Sequence, residues 1–94
     1  MEEKAKKIAE LLRLLANEHR LLILCALRKG PLTVGELRRF TPHISASALS
    51  QHLNQLRTAG ILDSEKQGMN VIYRIQDQRA AALLEAIREY YCGD

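Results

Sequence analysis

Long apolar runs are missing from this chain, and so are linkers, internal repeats and low-complexity tracts. No stretch approaches the roughly 20 apolar residues of a membrane-crossing helix. The opening "MEEKAKK" leads into an amphipathic pattern rather than a secretion signal. A cytoplasmic location with no membrane partner is therefore expected. Cysteine is scarce as well: Cys25 and Cys92 are too few for a disulfide framework, and a permanent bridge is not expected in a reducing compartment. There is no glycine-rich phosphate loop and no nucleophile, base and acid grouped together. A chain of 94 residues also leaves no room for a deep pocket. These absences argue against an enzyme, and no cofactor is expected.

What is present describes one soluble domain over residues 1–94. Hydrophobic residues make up 47% and charged residues 27%, at a size where one core stabilises only modestly and a second copy of the chain would help. The net charge of +3 and pI near 9.1 lean toward an anionic partner such as nucleic acid.

Helical periodicity organises most of the chain. Residues 3–16 carry Ile8, Leu11, Leu12 and Leu15 at helical spacing, with Glu3, Lys6, Lys7, Glu10 and Arg13 elsewhere on the surface. Asn17 ends that helix and starts a second, roughly 18–29, whose "RLLILCAL" is apolar nearly all round, as at the centre of a bundle. Gly30 and Pro31 stop it. Thr33 and Glu36 stand in capping-box spacing before a short third helix with Val34 and Leu37 inward, and Pro42 closes that helix. Ser45 or Ser47 caps a fourth helix running to Gly60. "ILDSEKQGMNVIYRI" then reads as two strands around a turn at 67–70. Asp77 caps a last helix carrying Ala81, Leu84, Ile87 and Tyr91. The expected fold is mainly α (α+β): five helices, with a two-stranded β-hairpin after the fourth.

The fourth helix, "SASALSQHLNQLRTAG", is the informative one. Ala46, Leu49, Leu53 and Leu56 form its core stripe at about 100° per residue. Opposite lie Ser47, Gln51, Asn54 and Thr58, with Ser50 beside them, and no acidic residue occurs from Ser45 to Ala59. A helix facing only water more usually carries Glu and Lys. Short hydroxyls and amides instead donate and accept hydrogen bonds without repelling phosphate, and Gln or Asn can pair in bidentate fashion with adenine in the major groove. Arg38, Arg39 and Arg57 outweigh Glu36 around this helix, and Lys66 and Asn70 flank the hairpin tip. Such residues hold phosphates and set register. The competing reading is a solvated polar helix in an unrelated small bundle.

The chain resembles the ArsR/SmtB family of bacterial repressors, winged helix-turn-helix proteins, over essentially residues 5–92. The match is carried by "LLANEHRLLILCAL", "LTVGEL", "SASALSQHLNQLRTAGIL" and "VIYRI", with Ser50 to Leu62 its strongest part. The resemblance implies a homodimer, with residues 3–16 and 77–92 as dimerisation helices, on near-palindromic double-stranded operator DNA that is released when an inducer arrives. It also implies a set of DNA-binding residues here: Ser45, Ser47, Ser50, Gln51, His52, Asn54, Arg57, Lys66 and Asn70. For His52 a cap or core-edge role stays open. For the last helix, packing of Leu83, Leu84 and Ile87 on their own domain competes with dimerisation.

Metal ions are the usual inducers in the family, and here the chain departs from it. The third helix has Glu36, Leu37, Arg38, Arg39 and Phe40 where a cysteine-bearing metal motif would stand, and His19, His43 and His52 all precede the last helix. No metal site is expected. Cys25 and Cys92 instead match the two cysteines of the dithiol, BigR/SqrR/YgaV-type subgroup. That likeness implies sensing of reactive sulfur species or oxidants through a disulfide or polysulfide bridge between them. Taken alone, Cys25 reads rather as a small hydrophobe filling a buried helix. Cys92, near the chain end and one turn after Arg88, is the expected first attacker, because the apolar neighbours of Cys25 oppose its ionisation. Two further readings stay open: a regulator of the same fold with a different inducer or acting as an anti-repressor, and a protein-interaction domain that does not bind DNA.

Overall fold

A computed structural model describes residues 1–91. In order along the chain come α1 (Glu2–Leu15), α2 (Glu18–Leu27), β1 (Leu32–Thr33), α3 (Val34–Phe40), α4 (Ala46–Thr58), β2 (Leu62–Gln67), β3 (Asn70–Ile75) and α5 (Gln78–Tyr91). The starts of α2, α3, α4 and α5 each have a local cause. The Asn17 side-chain oxygen accepts from the N–H groups of His19 and Arg20 at 3.0 and 3.1 Å, opening α2. Thr33 and Glu36 form the expected capping box: the Thr33 hydroxyl accepts from the Glu36 N–H, and the Glu36 carboxylate accepts from the Thr33 N–H. Those contacts, the Thr33 backbone N–H first, hold the Glu36 carboxyl below its ordinary range. Of the two candidate caps for α4, Ser45 is the one used, accepting from the Ala48 N–H at 3.1 Å. Asp77 accepts from the N–H groups of Arg79 and Ala80 at the start of α5. Its carboxyl is held low, chiefly by the Arg79 side chain.

Two helices end earlier than the periodicity suggests. α2 stops at Leu27, where the Arg28 N–H turns back to the Cys25 carbonyl and the Gly30 N–H to that of Leu27. α4 stops at Thr58. Gly60, at φ +83°, lets its own N–H reach the Arg57 carbonyl and the Ile61 N–H reach that of Leu56, the paired bonds of a left-handed C-terminal turn. A side chain at Gly60 would be strained there.

The hairpin forms as expected, with Lys66 opposite Val71 and Gln67 opposite Asn70. Gly68, at φ +62°, lies in its tip. The sheet is larger than a two-stranded hairpin, however. β1 pairs antiparallel with β3, Leu32 opposite Tyr73 and Thr33 opposite Ile72, giving the order β1-β3-β2. Two residues entering α3 thus stitch the helix-turn-helix to the hairpin.

The core is built where the helices meet this sheet. Ile23, Leu24 and Leu27 of α2, Leu37 of α3, Leu49, Leu53 and Leu56 of α4, and Leu84 of α5 are buried together. The turn between α3 and α4 is anchored by buried Ile44 and by Thr41, whose hydroxyl donates to the Leu37 carbonyl at 2.8 Å. Two alanines depart from the expected stripes. Ala46 is exposed, and Ala48 packs against the core instead. Ala81 is exposed while Ala80 is buried. In both helices the larger Leu side chains set the rotation. Leu83 packs against the core beside Leu84, and Ile87 is half-buried, so the inner side of α5 serves its own domain. On α1, Leu11 and Leu15 are buried, whereas Ile8 and Leu12 remain 42% and 47% exposed.

Candidate nucleic-acid interface

The rotation of α4 is fixed by Leu49, Leu53 and Leu56, which are buried. Ser47, Ser50, Gln51, Asn54, Arg57 and Thr58 are consequently all exposed. Their spacing follows directly from that of the leucines, because residues three and four apart share a helical face. Arg57 donates to the Asn54 side-chain oxygen at 2.8 Å. A cation and an amide on the outer face therefore orient each other, and the exchange of that bond for phosphate or base contacts needs no unfolding. Ser45 is exposed, but its hydroxyl is engaged in the cap, so it stands at the helix N-terminus beside N–H groups suited to an anion.

Lys66 and Asn70 are exposed on the two arms of the hairpin, and Met69 at the tip is fully exposed. Arg38, Arg39 and Phe40 are exposed along and at the end of α3. Arg38, Arg39 and Lys66 thus place cations around the outer face of α4, with the carboxylates of Glu36, Asp63 and Glu65 also exposed on α3 and the hairpin.

His52 is placed differently from the rest. It is half-buried, and its Nδ1 accepts from the Arg20 Nε–H at 3.3 Å. Its ring meets that of His19 edge-on, with centroids 5.5 Å apart. Burial first, then the charges of Arg20 and His19, push its pKa below the ordinary 6.5. This geometry favours the core-edge role over an outward base contact. Arg20 also donates to the Leu14 carbonyl and the Gln55 side-chain oxygen, joining the end of α1 to α4. Sequence reasoning did not single out Arg20, whose one signal is a cation opening an otherwise apolar helix.

Of the two cysteines, Cys25 is half-buried on α2, whereas Cys92 lies outside the described residues. Among the described residues no three His, Cys, Asp or Glu side chains gather as a metal ion would require, and no helix is long and apolar enough to cross a membrane.

A short helix, a turn, a longer helix with an acid-free polar outer face and a following β-hairpin define a winged helix-turn-helix of the kind that binds DNA. The chain belongs to the arsR family of bacterial regulatory proteins, which it matches over residues 17–64. It is 39% identical over 93 residues to the biofilm growth-associated repressor of Agrobacterium fabrum, covering 99% of this chain and 79% of that protein. It is 38% identical over 93 residues to the HTH-type transcriptional regulator YgaV of Escherichia coli, covering 98% and 93%. Reduced HlyU from Vibrio cholerae superimposes with a TM-score of 0.89 at 40% identity, covering 98% of this chain and 96% of that one. These relatives are named as transcription regulators, and this chain is a DNA-binding regulator rather than an enzyme.

Proposed function

We propose that the chain is a homodimeric transcriptional repressor whose operator affinity falls when Cys25 and Cys92 are joined by a disulfide or polysulfide bridge. The observation that carries the DNA-binding half is the outward, acid-free face of α4, where Gln51, Asn54 and Arg57 are all exposed. In the proposed complex Gln51 and Asn54 read base edges. Arg57, Lys66, Asn70 and the serines at 45, 47 and 50 hold the backbone. His52 supports α4 from behind. The dimer is formed through α1 and α5, a reading supported by the half-exposed Ile8 and Leu12.

The sensing half is supported by the two-cysteine match and by the likeness to the named relatives. A reactive sulfur species delivers sulfane sulfur to the Cys92 thiolate, and attack of the Cys25 thiolate on the Cys92 Sγ of that persulfide expels hydrosulfide and leaves a disulfide. An organic trisulfide, whose two thiolates leave in turn as Cys92 and then Cys25 attack its central sulfur, leaves that sulfur in the bridge. An oxidant drives the same closure to a plain disulfide, taking up two electrons. A bridge would tie α5 to α2, and through Arg20 a shift of α2 reaches α4.

Operator binding by fluorescence anisotropy, with intact mass read on the same samples, tests this. The reduced protein is expected to bind at least tenfold more tightly than protein shown by mass to be bridged. Cys25→Ser and Cys92→Ser variants are expected to bind without responding to persulfide or peroxide. Unchanged affinity of a bridged sample would overturn the mechanism. A second reading, occupation of DNA to displace another repressor, is favoured by the name of one relative, the transcriptional activator HlyU of Vibrio cholerae, 40% identical over 92 residues. Deleting the gene raises target transcription in the first reading and lowers it in the second.

A further inference from the structure

Gln51 and Asn54 can read base edges only while α4 keeps its orientation, because paired hydrogen bonds to one base tolerate little misalignment. Behind that face a single guanidinium ties α4 to two other helices. From α2, Arg20 donates through Nε to His52 Nδ1 at 3.3 Å, through one terminal nitrogen to the Gln55 side-chain oxygen, and through the other to the Leu14 carbonyl of α1 at 3.1 Å. The two ties on α4 lie three residues apart and so share one side of the helix. His52 directly follows Gln51, so the tied ring and the exposed amide spring from neighbouring positions.

One of these three acceptors can lose its lone pair. The Gln55 amide and the Leu14 carbonyl accept at any pH, whereas a protonated His52 carries an N–H on both ring nitrogens and accepts at neither. Its Nδ1–H would then face the Arg20 Nε–H, donor against donor and cation against cation. The charges bearing on the half-buried ring are those of Arg20 and His19, both from α2, the His19 ring standing edge-on with centroids 5.5 Å apart. From α4 itself the neutral Gln55 amide shares the guanidinium, and α1 contributes the neutral Leu14 carbonyl. No carboxylate is among these groups to offset an imidazolium. Protonation is therefore relieved by separating His52 from Arg20, which undoes one of the two ties on α4.

We propose that Arg20 is the positioning residue for α4 and that its bond to neutral His52 gates operator binding, which weakens when His52 takes up a proton. The gate rests on the reading of α4 as the groove-reading helix and adds a proton to its regulators; it is independent of the cysteines. Burial first, then Arg20 and His19, hold the His52 pKa below 6.5, so the tie is intact at neutral pH and opens on acidification. The direction is diagnostic, because a proton gained beside phosphates ordinarily adds a cation and strengthens DNA binding. Proton uptake and DNA binding oppose each other by the same factor.

The test titrates the full chain, kept reduced, against a rhodamine-labelled duplex selected from a random-sequence pool at pH 7.5. Anisotropy is read from pH 7.5 to 5.0 at constant ionic strength, with circular dichroism on the same samples. The affinity of wild type divided by that of His52→Gln, whose side-chain oxygen accepts throughout, is expected to fall at least about threefold across this range while helix content holds. Other titrating groups are common to both proteins and cancel in the ratio. Arg20→Gln is expected to bind about tenfold more weakly at pH 7.5 and to lose the same pH dependence, since no bond to His52 remains to break. In the wild-type chain, ¹⁵N shifts of the His52 ring should show the Nε2–H tautomer, with a titration midpoint below 6.5. A constant ratio, a fall that merely tracks lost ellipticity, or an Nδ1–H tautomer would each overturn the gate. Should Arg20→Gln fail to fold, the ratio and the tautomer decide without it. Failure to select any duplex overturns the reading of α4 and the gate with it, whereas selection followed by a constant ratio overturns the gate alone.

Discussion

Arg20 holds three acceptors on two other helical segments: the Leu14 carbonyl at the end of α1, and His52 and Gln55 side by side on α4. The bond to His52 requires an unprotonated Nδ1, and burial, Arg20 and His19 all oppose the imidazolium. His52 therefore has a lower pKa in the folded chain than in the unfolded one. Its stabilising contribution is complete above the unfolded value of 6.5 and is lost as pH falls toward the folded value, because the unfolded chain takes up the proton first. Thermal melts between pH 7.5 and 5.5 should show wild-type stability declining on acidification. His52→Gln should flatten that part of the profile; an identical slope in the variant would contradict the assignment. The carboxyls of Glu36 and Asp77, also held low, contribute in the same direction but only below about their ordinary values of 4.5 and 3.8.

Among the elements, α3 is the most dependent on one side chain, since its seven residues cannot support a helix by propensity alone. Thr33 both caps it and pairs with Ile72 in the sheet. Thr33→Ala is expected to cost about 1 kcal/mol for the lost cap, a fall in Tm of about 4–8 °C for a domain this small, measurable by circular dichroism. Thr33→Ser should recover most of it. This cap was legible in the sequence because a capping box is a local device, complete within four residues. The Ser45 and Asp77 caps and the outward face of α4 were legible for the same reason, the last fixed by three leucines at regular spacing. β1 was not, since two residues carry no periodicity and their partners on β3 lie some forty positions further along the chain. The alanines at 46, 48, 80 and 81 were misplaced or missed because their small side chains contribute little to setting a helix's rotation. Arg20, His52 and Gln55 come together only in the folded chain.

At the scale of the whole molecule, the buried leucines of one chain leave an unfinished surface. Ile8 and Leu12, one turn apart on α1 and each half-exposed, form a short apolar strip that the proposed dimer would cover. With dimerisation through α1 and α5, Leu12→Glu should shift sedimentation from dimer toward monomer. It should also weaken operator binding at least tenfold, because both half-sites can no longer be held together. A dimer that persists unchanged would move the interface elsewhere. The net charge of +3 is too small to supply affinity by itself. Basic groups therefore have to act by placement, and in the proposed dimer the arrangement of the two copies matters as much as the composition of either.

The junction after α4 bears on how any signal would travel. The Ile61 carbonyl accepts the N–H groups of both Gln76 and Asp77, while the Gln76 side chain donates to the Gly60 carbonyl. The end of α4, the end of β3 and the start of α5 are thereby joined at a single hub, and in the proposed mechanism a tug on α5 swings α4 as a crank turns its shaft. If the bridge acts as proposed, its effect is a change of angle between stiff arms, and a spectroscopic ruler placed across α4 and α5 would register it while helix content stays constant.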